Sequence, residues 1–136
     1  MEELRQFLED WTDDALGTKP IFIAYMNRIA GKDGVDLVFN ARPGVSYSLR
    51  GIPRHREDRP LFVMIDIIDD NPRERWLSVC FYGDTIQDPE ERGDLIPGGL
   101  LGEDGYCFDI AETDDHLAMY VGARIQEAYT NTRHDH

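Results

Sequence analysis

The spacing of apolar residues changes twice along this chain, and these changes restrict the folds that it can adopt. Over residues 2–11, 20–30 and 113–130, apolar side chains recur every three or four positions, as on one face of a helix. From residue 35 they occupy alternate positions instead, which is typical of strands with one buried face. The pattern therefore predicts two N-terminal helices, a central sheet and a C-terminal helix.

Individual residues mark the ends of the predicted helices. Pro20 suits a first helical turn and Gly31 suits a helix end. The β-branched Ile21 and Ile23 also allow a strand in this segment, but we prefer the helix. Thr113 is expected to cap the C-terminal helix.

Five strands are expected in the central part of the chain. They cover residues 35–39, 45–49, 61–68, 76–82 and 106–110. Pro43 and Gly44 fit the central positions of a type II turn, so the first two strands should form a hairpin. Short links of this kind favour an antiparallel sheet. We therefore expect an α+β fold, with a mainly antiparallel, meander-like sheet and all three helices packed on it.

The length of 136 residues suits a single domain over residues 1–136. Its expected parts are a helical segment, a sheet that contains a long loop, and a final helix. They span residues 1–31, 35–110 with loop 83–104, and 113–130. A structureless connection as long as this loop is uncommon in a compact domain and is often functional.

The net charge of −13 decides which partners are plausible. It disfavours nucleic acid and anionic membranes, because both need a basic surface. It permits a basic protein partner or a divalent cation. The N-terminus shows no signal-peptide pattern, and no apolar run approaches the ~20 residues that span a bilayer. We expect a cytoplasmic protein.

Two cysteines, Cys80 and Cys107, each lie in an apolar run. Their spacing does not match a metal finger, and buried free thiols are the preferred interpretation. A disulfide between neighbouring strands is the alternative.

The long loop contains the predicted partner-binding surface. Its apolar and acidic members are Leu95, Ile96, Leu100, Leu101, Glu103 and Asp104. Apolar loop residues either fold back over the core or contact another chain. The Gly-rich stretch lacks the Lys-Ser/Thr ending of a phosphate-binding loop, so nucleotide binding is not expected.

A basic island offers a second hypothesis. Its members are Arg42, Arg50, Arg54, Arg56 and Arg59. They can bind a small anion or the acidic face of a second subunit in a homodimer. Salt bridges to the acidic loops of the same chain are the interpretation that we favour.

A carboxylate group near the end of the third strand suggests an alternative function. Its members are Asp66, Asp69, Asp70 and Glu74, with oxygen ligands that suit Ca²⁺ or Mg²⁺. The spacing does not match an EF-hand, and a simple hydrophilic turn is the competing interpretation. Asp66 interrupts an apolar run and needs a partner, an exposed position or a raised pKa.

No catalytic signature is present: the sequence has neither a Gly-x-Ser-x-Gly elbow nor a His-Glu-x-x-His helix. We expect an acidic binding or adaptor protein for a basic protein partner, without catalysis or cofactor. The alternative is a divalent-metal-binding protein or a metal-dependent enzyme. A third hypothesis is a small-molecule pocket lined by Tyr47, Trp76, Tyr82 and Tyr120.

Overall fold

Helices flank a central sheet in the computed structural model, which describes residues 1–55 and 58–134. The helices are α1 (Glu2–Asp10), α2 (Lys19–Ala30) and α3 (Asp115–His134). The strands are β1 (Val35–Arg42), β2 (Ser46–Pro53), β3 (Val63–Ile68), β4 (Trp76–Tyr82), β5 (Asp94–Leu100) and β6 (Glu103–Ile110). The predicted α+β class is confirmed, and the segment that begins near Pro20 is a helix.

All strand pairs in the sheet are antiparallel, in the order β1-β2-β3-β4-β6-β5. The first four strands form a meander. The chain then crosses to the far edge, and β6 returns between β4 and β5. The sixth strand is β5, which lies inside the segment 83–104 that was predicted to be a loop. Its Pro97 and neighbouring glycines weaken the strand signal, but an edge strand tolerates them because one side needs no partner.

Positive φ angles fix two of the hairpin turns. Between β1 and β2, the Val45 amide donates to the Arg42 carbonyl at 2.9 Å and Gly44 has a φ of 83°. This is the geometry of the predicted type II turn. Between β5 and β6, Leu101 and Gly102 have φ angles of 52° and 90°. Positive φ at both central positions defines a type I′ turn.

The main core lies between the helices and one face of the sheet. One row across the sheet joins Phe39, Leu49, Ile65, Val79 and Phe108, which pair in register and are all buried. Side chains from all three helices pack against this row. Burial of each large apolar side chain contributes roughly 1.5–3 kcal/mol, so this face dominates the stability of the fold.

The opposite face of the sheet carries a smaller buried cluster, the second cluster. It comprises Leu61, Cys80, Tyr82, Leu100 and Cys107. Register places Cys80 directly opposite Cys107, and the two form a disulfide with their Cα atoms 4.2 Å apart. The preferred prediction of free thiols is therefore wrong. Both residues are buried as expected, but β4 and β6 bring them together across 27 positions of sequence.

The N-terminal cap of α3 is Asp114. Its Oδ1 atom accepts a hydrogen bond from the Leu117 amide at 3.0 Å, and this bond lowers the pKa of the Asp114 carboxyl. The predicted cap, Thr113, instead directs its hydroxyl to the Leu16 carbonyl at 3.4 Å. The helix begins later than its apolar spacing suggested.

Candidate functional site

A cleft of about 530 Å³ opens beside the β5–β6 hairpin and is named here the acidic cleft. It is lined by Arg59, Gly83, Asp84, Leu95, Glu103, Asp104 and Tyr106. Three of the predicted partner-binding residues, Leu95, Glu103 and Asp104, therefore lie together. Arg59, which the sequence assigned to the basic island, faces them.

Arg59 holds the two walls of the acidic cleft together. Its guanidinium donates to both Asp84 carboxylate oxygens at 2.7 and 2.9 Å and to Glu103 Oε1 at 2.9 Å. The same group lies 4.3 Å from the centre of the Tyr82 ring. The hydrogen bonds that Arg59 donates to Asp84, with a further contribution from Glu103, raise the pKa of Arg59 against the opposing effect of burial. Arg59 therefore stays charged and acts as a fixed brace.

The lining of the acidic cleft is negative in sum, because three carboxylates face one guanidinium. Asp104 accepts a hydrogen bond from the Gly98 amide at 3.0 Å, which orients its carboxylate within the hairpin. The Glu103 side chain is 47% exposed, so the charge is accessible from solvent. Burial, followed by the charge of Glu103, raises the pKa of the Tyr82 hydroxyl. The arrangement suits a ligand that carries a positive charge.

The four apolar residues predicted for this surface separate into two groups. Leu95, Ile96 and Leu101 are 52%, 42% and 54% exposed. Leu100 is fully buried in the second cluster, so it packs on the sheet and belongs to no contact surface. Leu100 therefore anchors the hairpin to the sheet, and Leu95, Ile96 and Leu101 are exposed to solvent.

The predicted basic island is dispersed over the fold. Arg42 ends β1, and Arg50 lies on the second-cluster face of β2. Arg54 pairs with Asp36 at 3.2 Å, and Arg59 is held in the acidic cleft. Arg56 lies outside the described residues. The described arginines do not converge on a common anion site.

The four carboxylates of the metal hypothesis do not form a ligand set. Asp66 stands between Ser48 and Ser78 in neighbouring strands. Asp69 is buried, where it accepts from Arg75 Nε at 2.7 Å and from the Gly44 amide at 2.8 Å. The other two carboxylates, Asp70 and Glu74, are exposed. Within residues 1–55 and 58–134, no three His, Cys, Asp or Glu side chains are placed to hold a metal ion.

The aromatic residues suggested for a small-molecule pocket do not share a cavity. Trp76 and Tyr82 lie on the second-cluster face, whereas Tyr47 packs against the main core and Tyr120 belongs to α3. Tyr120 instead donates a 2.5 Å hydrogen bond to Asp88. The sequence could show their amphipathic chemistry but not which face of the sheet each one takes.

A second groove, of about 480 Å³, lies between α1 and β1 and is named here the edge groove. It is lined by Glu2, Glu3, Gln6, Phe7, Asp10, Phe39, Ala41, Tyr47 and Arg75. The rings of Phe7 and Tyr47 lie 4.1 Å apart between centres. Arg75 is 5.1 Å from the Phe7 ring. The groove could not be predicted from the sequence, because it depends on the tertiary packing of α1 and Arg75 beside β1.

No family model, no curated protein and no solved structure matches this chain. Among the described helices, none has the length and apolar character needed to cross a membrane.

Proposed function

We propose that this protein is an acidic, non-catalytic binding module that docks a basic segment of a partner protein in the acidic cleft. One observation carries the proposal: Glu103, Asp104 and the exposed Leu95 line the same cleft. A Lys or Arg side chain has both features that this lining complements, a charged head and an apolar stem.

The free energies of ion pairing and of apolar burial indicate what each part of the surface contributes to binding. An exposed ion pair contributes about 0.2–1 kcal/mol, whereas full burial of a leucine side chain contributes roughly 1.5–3 kcal/mol. Leu95, Ile96 and Leu101 are each about half exposed, so a partner that covers them gains roughly half of that amount at each one, about 0.8–1.5 kcal/mol. The carboxylates select a basic partner and raise the rate of association, an effect that salt weakens.

The backbone of Leu101 supports a contact role for the hairpin tip. This leucine has a φ of 52° and is 54% exposed. A left-handed conformation is unfavourable for a leucine, and an exposed apolar side chain gains nothing in the free protein. Strained residues of this kind cluster at functional sites, where a bound partner offsets the cost.

Calorimetric titration with the synthetic peptide Arg-Arg-Leu-Leu-Arg-Arg tests the proposal. We expect binding that weakens steadily as salt is raised, because the Debye length falls from about 30 Å at 0.01 M to about 10 Å at 0.1 M. The double substitution Glu103→Gln with Asp104→Asn should weaken binding roughly fivefold, the sum of two exposed pairs. The matched control is Glu112→Gln with Glu74→Gln, which removes two exposed charges outside the cleft.

Equal losses in the two double variants would show that only the total charge matters and would remove the acidic cleft as the site. Salt-independent binding would remove the electrostatic part of the proposal. Circular dichroism of each variant checks that the fold is unchanged.

A further inference from the structure

The outer edge of β1 has no strand neighbour among the described residues. The carbonyls of Gly34 and Arg42, at its two ends, accept from the Arg54 and Val45 amides on the β2 side. Backbone groups alternate in direction along a strand, so the even-numbered residues of β1 point towards β2. The N–H and C=O groups of Val35, Leu37, Phe39 and Ala41 therefore point away from the sheet.

This edge differs from the opposite one. In β5, Pro97 lacks an N–H group and the register shifts between Ile96 and Leu100, and both features obstruct a further strand. β1 pairs with β2 over eight residues without a register shift and contains no proline. Natural sheets usually protect an edge of this length with charges, prolines or bulges. β1 carries two charged residues, Asp36 and Arg42, and Asp36 is paired with Arg54, so the backbone of the edge is still a template for pairing.

The edge groove lies beside this open strand on the helix side. Phe39 and Ala41 of β1 form part of its lining, and Phe7 of α1 stands over them. Side chains of an added strand alternate between the two faces of the sheet, so every second one would lie against this groove.

The charge of the edge groove specifies which side chains fit it. Glu3 and Asp10 contribute carboxylates from the exposed side of α1. Arg75 is the one cation among the described residues that line the groove, and it is ion-paired with Asp69 at 2.7 Å. Glu2, a further acid in the lining, pairs with Arg5. The groove therefore combines an aromatic floor with an acidic rim.

We infer that β1 accepts, as a seventh strand, an extended segment of a partner protein with Lys or Arg at alternate positions. Main-chain hydrogen bonds to the four outward residues would hold the segment, as in other cases of strand addition. The basic side chains would pair with Glu3 and Asp10 at the rim, and their apolar stems would pack on the exposed Ala41. They would not stack on Phe7, because that ring is 8% exposed and Arg75 already lies over it. A second copy of this chain fits less well, because the same carboxylates would face each other across the new strand pair.

Amide hydrogen exchange measured by NMR tests this pairing directly. In the free protein, the amides of Leu37, Phe39 and Ala41 should exchange faster than those of Val38 and Asn40, which already bond to β2. The peptide Lys-Val-Lys-Val-Lys-Val-Lys should slow the first set at least tenfold and leave the second set unchanged. The peptide Lys-Lys-Val-Val-Val-Lys-Lys, with equal composition but no alternation, should protect neither set.

Two variants separate the backbone contribution from the charge contribution. Ala41→Pro removes one outward N–H from an exposed residue and should abolish the protection of the Leu37 and Phe39 amides. Ala41→Thr keeps the N–H and should retain that protection. Glu3→Gln with Asp10→Asn should weaken peptide affinity roughly fivefold at low salt. Glu74→Gln with Glu112→Gln is again the control for total charge.

Three results would overturn the inference. The first is unchanged exchange at Leu37, Phe39 and Ala41 with millimolar peptide. The second is protection around Asp104 instead, since the peptide would then occupy the acidic cleft. The third is protection that rises with protein concentration in the absence of peptide, because a second copy would then occupy β1. The inference does not depend on the acidic cleft. Variants of Glu103 and Asp104 should therefore leave the protection of the β1 amides unchanged.

Discussion

At the scale of the residue, Leu101 shows how local strain and exposure can mark a contact point. The sequence predicted Leu101 as part of a partner surface, and the structure adds that its backbone is left-handed at the hairpin tip. The Leu-Gly pair gives a weak hairpin signal, because type I′ turns favour Asn or Gly at the first central position. Its turn type therefore follows from the strand pairing around it.

Replacement of Leu101 by Asn should stabilise the protein by about 1 kcal/mol, because Asn tolerates the left-handed conformation. The same change should weaken binding of the basic hexapeptide, since it removes apolar contact area. Urea unfolding and calorimetry measure the two effects. Leu95→Asn is the matched control: it removes a similarly exposed leucine, 52% against 54%, without relieving a positive φ. If Leu101→Asn lowers stability as much as the control does, the turn is not strained.

At the scale of the element, the segment between β4 and β5 is ordered by its contacts with α3. Asp88 is the centre of these contacts and accepts hydrogen bonds from the Tyr120 hydroxyl at 2.5 Å, the Gly93 amide at 2.8 Å and the Arg92 amide at 3.0 Å. Burial acts to raise the pKa of Asp88, but the three hydrogen bonds outweigh it and lower the pKa. The segment that the sequence predicted to be a loop is thereby fixed against the helix.

The stability that Asp88 contributes should depend on pH. Because its pKa is lowered by folding, the contribution is present above the unfolded value of about 3.9 and is lost as pH falls through the folded value. Asp88→Asn should therefore lower the free energy of unfolding at pH 7 and have progressively less effect below about pH 4. Urea unfolding at pH 7, 5 and 3 measures this.

Asp70→Asn, at an exposed turn residue, serves as the control for Asp88→Asn. It should change stability by less than about 0.5 kcal/mol at pH 7. A loss in Asp88→Asn that is as large at pH 3 as at pH 7 would contradict the assignment, because the hydrogen bonds would then not depend on the ionised carboxylate.

Elements with a strong apolar period could be predicted from the sequence, and elements defined by distant pairing could not. α1 and α2 follow their patterns closely, because each buries one regular face. β4 has its predicted bounds because its apolar run is buried on both faces of the sheet. β5 has an irregular, mostly exposed pattern and becomes a strand only because β6 pairs with it. The Cys80–Cys107 disulfide has the same origin. Disulfides are typical of oxidising compartments, and the cytoplasmic location stays a prediction.

The acidic cleft was predictable in its composition but not in its geometry. Leu95, Glu103 and Asp104 lie within ten positions of sequence, and their apolar and acidic mixture could be seen directly. Arg59 lies 44 positions before Glu103, and its role as a brace depends on tertiary contact. Arg59 therefore makes salt bridges within the chain, which is the interpretation that the sequence favoured over anion or subunit binding.

At the scale of the whole molecule, the two proposed surfaces lie at opposite edges of one sheet. The edge groove borders β1, and the acidic cleft borders β5 and β6. With about 4.8 Å between strands, the six-stranded order separates the two edges by roughly 24 Å. A single short peptide cannot reach both surfaces. The net charge of −13 attracts basic segments to each of them.

A ligand with two basic segments should therefore bind more tightly than either segment alone, provided that its linker spans the sheet. A flexible Gly/Ser linker of n residues has an end-to-end distance of about 5–6 Å × √n, so about 25 residues bridge the separation and about 5 residues do not. The alternating heptapeptide joined to the basic hexapeptide by the long linker should gain roughly 100-fold in affinity. With the short linker, the gain should disappear, because the second segment cannot engage.

Glu3→Gln with Asp10→Asn should reduce the gain for the long linker without affecting the hexapeptide alone. Calorimetric titration measures these affinities, and equal affinity for the long and short linkers would show that the two surfaces do not act together.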